Sequence, residues 1–307
     1  MAMLRDIKRR IGSVQSTQKI TRAMELISSA RIAKAQQRVE AARPYAEAMR
    51  RLMSSLGRRA GTIDHPLLKE RPEIRTIATI VITSDRGLAG AYNSNVIRVA
   101  ERDMQAHGKD AKLFLVGRKA ISYFKFRGYN FEDRWMGISD QPSIVDARKV
   151  ARRAAEAFAS GEVDEVRLAY TRFESALIQR ATVVKLLPLS EEDILEGDHP
   201  DALHAGYVFE PEPDDILGHL LPRYLEGSVY QGLLEAAASE HAARRRAMKA
   251  ATDNADDLIE DLTRVYNQVR QAEITTEIME VVGGAEALSA AAKSDTHEHR
   301  AGGTPGR

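Results

Sequence analysis

Between Leu233 and Val282 the chain contains neither proline nor glycine, and small or apolar side chains recur in steps that alternate four and three. The series runs Tyr230, Leu234, Ala237, His241, Arg244 and Met248, then Ala251, Ala255, Leu258, Leu262, Val265, Val269 and Ala272. This is a heptad seam, which buries one stripe of a helix against a second helix. At about 1.5 Å rise per residue the uninterrupted stretch spans roughly 75 Å. A helix of that length seldom lies on the surface of a globular domain, so the pattern demands a helical partner. Beyond Ala272 the apolar positions slip to Ile274, Ile278 and Val281, a change of phase that alters local supercoiling.

The other end of the chain supplies a partner. Leu4, Ile7, Ile11 and Val14 are spaced three and four apart, and Gly12 is the one glycine before Pro44. The seam then turns polar at Gln18 and Thr21 and shifts to Ile20, Met24 and Ile27. Pro44 is expected to bend or interrupt this helix, which resumes to about Leu56. Residues 1–59 carry fourteen Lys and Arg against four acids, whereas residues 223–282 carry seven against eleven. Opposite charge and matching periodicity predict that the two terminal helices, 1–58 and 214–287, pair antiparallel. His241 and Arg244 stand in the seam either as register-setting polar groups or as side chains that reach out to solvent.

Residues 73–210 read differently. Residues 74–85, IRTIATIVITSD, read as a buried strand, and AKLFLVG at 111–117 reads as another. Helical stretches at 94–108, 118–128 and 143–162 alternate with these strands, and two more strands follow at 163–173 and 179–189. That alternation predicts a Rossmann-like α/β domain with a partly parallel sheet, and an α+β fold class when combined with the two-helix coiled coil. The acidic run at 190–203 reads as a connecting loop. Residues 288–307 lack periodicity and are expected to be disordered.

Several chemistries are excluded by composition. With no cysteine there is no disulfide, thiolate ligand or thiol nucleophile. No apolar run reaches the roughly 20 residues that span a bilayer, and MAMLRDIKRRIGS lacks the uncharged core of a signal peptide. The cationic first helix has an apolar seam and no interleaved aromatics, which argues against a nucleic-acid platform. TSDRGLAGAYN, residues 83–93, is a Gly-rich strand-to-helix turn of the kind where phosphates bind helix amides. It has neither the dinucleotide nor the P-loop spacing, and its glycines suit a tight turn and close packing. No catalytic, cofactor-binding or metal-binding residues are assigned. His297 and His299 fall in the expected tail.

Three stretches together resemble the gamma subunit of F-type ATP synthase. They are IKRRIGSVQSTQKITRAMELISSARIAKAQ at 7–36, SDRGLAGAYN at 84–93, and AMKAATDNADDLIEDLTRVYNQVRQAEITTEIMEVVGGAEAL at 247–288. The likeness runs in order from residue 1 to about 288. It implies a central-stalk rotor whose two terminal helices stand within a ring of three alpha and three beta subunits. The α/β domain would then meet the epsilon subunit and the membrane c-ring. Proton-driven rotation of the c-ring would turn the shaft and force the catalytic beta sites through successive conformations, with no cofactor or catalysis in this chain. Membrane association would come only through the complex, peripheral on the cytoplasmic side of a bacterial plasma membrane.

By the same resemblance, Arg270, Gln271 and Thr275 match positions that contact beta loops, with Glu277 and Glu280 in the adjoining helix. Met24 matches a coupling-sensitive methionine, and Arg244 a position in the partner helix. Arg9 and Arg10 belong to the matched cationic arm, and Tyr207 and Glu210 to the foot that meets the c-ring. The cysteine-bearing insertion of the family's thiol-regulated plant form is missing. The sequence also admits two other readings: a nucleotide-binding α/β enzyme with helical arms, and a stand-alone coiled-coil scaffold.

Overall fold

The computed structural model describes residues 2–57, 65–107, 110–189 and 213–298. Helix α1 covers Ala2–Gly57, and a short 3-10 turn follows at Pro66–Leu68. Then come β1 (Thr76–Ile82), α2 (Tyr92–His107), β2 (Asp110–Val116), α3 (Arg118–Phe126), β3 (Asp133–Trp135) and α4 (Ile144–Ala159). Strands β4 (Glu165–Phe173) and β5 (Gln179–Leu187) lead to the last helix, α5 (Pro213–Glu298). Contacts group the chain into two compact units, Ala23–Lys249 and Met1–Arg22 with Ala250–Arg307.

The larger unit is built on a five-stranded sheet in the order β3-β2-β1-β4-β5. Its first four strands are parallel, and β5 returns antiparallel to β4 as a hairpin. The central strand β1 is buried from Ile77 to Ile82, as its continuous apolar run requires. Alternate side chains feed two cores. Ile80, Ile82, Phe114 and Leu168 pack with Val150 and Phe158 of α4 and with Leu225, Val229 and Leu233 of α5. On the opposite face Val81, Leu113 and Leu115 meet Val96 of α2 and Phe124 of α3. Fully burying each such side chain contributes about 1.5–3 kcal/mol, so this sheet is the rigid base of the unit. Ser143 and Asp146 close a reciprocal cap at the start of α4.

In this unit α1 and α5 run antiparallel: Ala35 and Val39 form one small cluster with Leu234 and Ala238. The smaller unit repeats the arrangement. The Thr21 and Thr252 hydroxyls lie 2.7 Å apart, and Gln18 donates through its side-chain amide to Asp256. Advancing from 18 to 21 on one helix retreats from 256 to 252 on the other. The fold class read from the sequence therefore holds.

Details depart from the sequence reading. Pro44 does not interrupt α1, and Pro222 likewise lies inside α5. A lost amide donor is tolerable where neighbouring packing holds the helix, as Met49 and Met53 do just beyond Pro44. Helix α5 continues to Glu298, past Leu288, where disorder was expected to begin; its SAAAK stretch contains three consecutive alanines, the best helix formers. The seam also changes phase. Ile259, Leu262, Tyr266 and Val269 are half-buried, whereas Leu258 and Val265 are exposed. Ile20 and Ile27 of α1 are exposed too, so they do not serve the helix pair.

Candidate coupling site

Within the larger unit, the Gly-rich turn after β1 packs against α5. The turn is held from inside by Asp85. Its carboxylate accepts the Arg118 amide at 3.1 Å, the Gly137 amide at 2.9 Å, and the amide and hydroxyl of Ser139 at 3.3 and 3.0 Å. Asn93, in the first turn of α2, accepts from both the amide and hydroxyl of Ser84 at 2.9 Å. Leu88 and Gly90 adopt positive φ, the conformation a tight strand-to-helix turn requires. The polar groups that could have greeted a phosphate are thus largely engaged by the protein itself.

Helix α5 is fastened to this region by buried polar groups, and α1 by a half-exposed ion pair. Arg244 of α5 is 6% exposed; its guanidinium donates to Glu240 at 2.6 Å and to the Gly87 carbonyl at 3.2–3.3 Å. Glu240 is buried more deeply still, and burial pushes its carboxyl above the usual range while Arg244 pulls it back. Tyr92, opening α2, donates to the Ala236 carbonyl at 3.1 Å. On the other side of α5, His241 lies with Nε2 3.4 Å from Asp140. Arg31 of α1 reaches the same carboxylate with bonds of 2.7 and 2.8 Å to its two oxygens. Asp140 therefore ties α1 and α5 to one loop of the α/β domain. Burial lowers the His241 imidazole to about 4, so the ring is neutral at neutral pH.

This settles the local placement of the seam's polar pair: neither His241 nor Arg244 reaches out to solvent. Met24 is half-buried in the same unit, its carbonyl accepting from Ser28 at 2.7 Å. The matched positions Arg9, Arg10, Arg270, Gln271, Thr275, Glu277 and Glu280 belong to the smaller unit and are exposed. Arg9 pairs with Asp6 at 3.0 Å, and Arg10 is exposed beside it. Arg270, Gln271, Thr275, Glu277 and Glu280 all face solvent, and at about 3.6 residues per turn they point around the helix rather than along one stripe. The Thr275 hydroxyl bonds back to the Gln271 carbonyl at 2.9 Å. Ile274, Ile278 and Val281 interleave with them and are also exposed, at 46%, 57% and 72%. Tyr207 and Glu210, and the loop at 190–203, lie outside the described residues.

Sequence reading missed Arg31, Asp140 and Glu240. Glu240 carried a usable signal, being four residues before Arg244 in a stretch of small and apolar residues, the spacing of a helical ion pair. Asp140 carried none, because its partners are distant in sequence.

Two terminal helices paired antiparallel, fastened to an α/β domain in one unit and carrying exposed polar and apolar side chains in the other, mark a subunit whose helical surface is open to partners. No described helix is long and apolar enough to cross a membrane. The comparisons agree. A family profile for ATP synthase matches residues 3–288. The ATP synthase gamma chain of Kineococcus radiotolerans is 48% identical over 293 residues, covering 93% of this chain and 97% of that one. A chain from the central stalk and c-ring structure of Tetrahymena thermophila mitochondrial ATP synthase aligns with TM-score 0.57 and 25% identity, covering 76% of this chain and 99% of its own. A Euglena gracilis mitochondrial ATP synthase chain shares the fold at TM-score 0.64 and 19% identity, over 95% of this chain and 96% of that one. The chain belongs to the ATP synthase gamma chain family.

Proposed function

We propose that this chain is the central-stalk rotor of a proton-translocating F-type ATP synthase, coupling c-ring rotation to the conformational cycle of the catalytic beta subunits. The observation that carries this reading is the antiparallel pairing of the chain's two ends in a member of the gamma chain family. A shaft needs length, stiffness and an outer surface that can be gripped and released. Exposed Arg270, Gln271, Thr275, Glu277 and Glu280 supply hydrogen bonds and charges that re-form against successive beta loops, and exposed Ile274 and Ile278 supply apolar contact between them. Arg9 and Arg10 serve the same purpose on α1, and Tyr207 and Glu210 meet the c-ring loops. The chain itself is non-catalytic, with three alpha and three beta subunits, epsilon and the c-ring as partners. It works at the cytoplasmic face of a bacterial plasma membrane, peripheral to it and held there by the complex.

Purification through an affinity tag on this chain is expected to recover one copy per three beta-like subunits. A stable homodimer free of other subunits would overturn the rotor reading in favour of a scaffold. Met24→Lys tests the coupling role: a cation among the beta contacts attracts an acidic loop at an energy that a half-buried position does not fully screen. ATP hydrolysis should persist while ATP-driven proton pumping falls severalfold in inverted vesicles. Equal pumping per ATP in variant and parent would remove Met24 from the mechanism.

A further inference from the structure

Within the Ala23–Lys249 unit, α1, α4, the end of β4 and α5 enclose a cavity of about 480 Å³. That volume lies in the range of small-molecule sites, ~300–1,000 Å³. The space exists because Ala42 and Ala46 on α1 and Gly227 on α5 are too small to fill it. Even a methyl group at Gly227 would meet only the Tyr45 ring, at 3.9 Å. Tyr45, Phe173 and Tyr230 provide aromatic wall on three elements.

The charges around this cavity are unevenly committed. Glu226 accepts from Arg148 at 3.1 Å, and Glu235 accepts from Gln231 at 2.9 Å and from the Phe173 amide at 3.4 Å. Both acids are thereby engaged. Arg43, Arg50 and Arg223 line the same opening, and none has a hydrogen bond or ion pair to another described residue. A neutral apolar occupant would gain nothing from these exposed guanidinium groups, while a small hydrophilic anion would leave the aromatic wall wet. One chemistry satisfies both, because guanidinium pairs strongly with carboxylate and phosphate and the wall gains from covering apolar surface.

We propose that this cavity binds a single-chain amphiphilic anion, its carboxylate or phosphate head at Arg43, Arg50 and Arg223 and its apolar body against Tyr45, Phe173 and Tyr230. The occupant bridges both long helices and the α/β domain, so it stabilises their mutual packing. The assignment rests on the cavity and its lining rather than on the rotor reading, and failure to assemble with alpha and beta partners would count against that reading alone.

The test is calorimetric titration of dodecanoate and decyl phosphate, below their micelle concentrations, into the full-length chain assembled with its alpha and beta partners. One site per chain is expected, and dodecylammonium, with the opposite head charge, should bind at least about tenfold more weakly. Arg43→Gln with Arg223→Gln should weaken dodecanoate by a similar factor without altering the melting midpoint, as both residues are exposed. Ala46→Leu should fill the void and abolish binding. Equal binding of dodecylammonium, or unchanged affinity in the double arginine variant, overturns the proposal. So does a lack of dodecanoate binding, including the case where phosphatidylglycerol vesicles recruit the chain, which would assign the arginines to a membrane surface instead.

Discussion

Gly117→Ala should destabilise the α/β domain by at least about 3 kcal/mol, enough to abolish soluble accumulation. Gly117 joins β2 to α3 at φ +91, a conformation that L residues rarely adopt. A Cβ there would fall onto the Thr83 carbonyl, 2.1 Å from its oxygen and 2.6 Å from its carbon, and 2.9 Å from the Thr83 hydroxyl oxygen. Nothing nearby can yield. The Thr83 amide bonds to the Val116 carbonyl at 2.9 Å, and its hydroxyl accepts from the Ala120 amide at 2.9 Å. Gly161 provides the internal control, having φ +76 but nothing within 4 Å of an added Cβ. Gly161→Ala should cost only about 1 kcal/mol, the backbone strain alone. Denaturant midpoints of the two variants decide the point, and equal losses would show that close approach at Thr83 is not what demands glycine.

Arg244→Ala should have the second largest effect, about 3 kcal/mol. Removing the guanidinium leaves Glu240, 1% exposed, without its cation and strands the Gly87 carbonyl. Burial already pushes the Glu240 carboxyl upward. Without Arg244 it should be driven further toward the neutral acid. A second substitution separates the pair from its packing. Arg244→Met combined with Glu240→Gln removes both charges while keeping most of the volume, and should recover most of the loss. If the double variant is as unstable as Arg244→Ala, the Gly87 contact or simple volume matters more than the ion pair. Because both side chains belong to the fastening of α5 beside the Gly-rich turn, the single variant should also weaken coupled proton pumping.

The long helices were legible because their periodicity persists for many turns, and the sheet because strands buried on both faces must be continuously apolar. Errors came where the sequence offers two equal answers. Leu258 stands beside Ile259 and Val265 beside Tyr266, so either phase gives an apolar stripe. Only the partner helix chooses, and it takes Ile259 and Tyr266. Three-residue β3 was invisible, too short to show alternation, and exists because β2 offers it an edge from Phe114 to Val116. The candidate site divides in the same way. Residues 270–280 were recognisable as a motif in one helix. The Arg31, Asp140 and His241 group joins three distant segments, and no local pattern foretells it.

The Thr21–Thr252 contact has a consequence for synthesis. Its halves are separated by 231 residues, so the first helix leaves the ribosome long before the segment that will cover it exists. Sheet and flanking helices can collapse meanwhile, but Leu4, Ile7, Ile11 and Val14 must wait. The nascent N-terminus is therefore the part most exposed to aggregation, and the part with most need of a chaperone or waiting subunit.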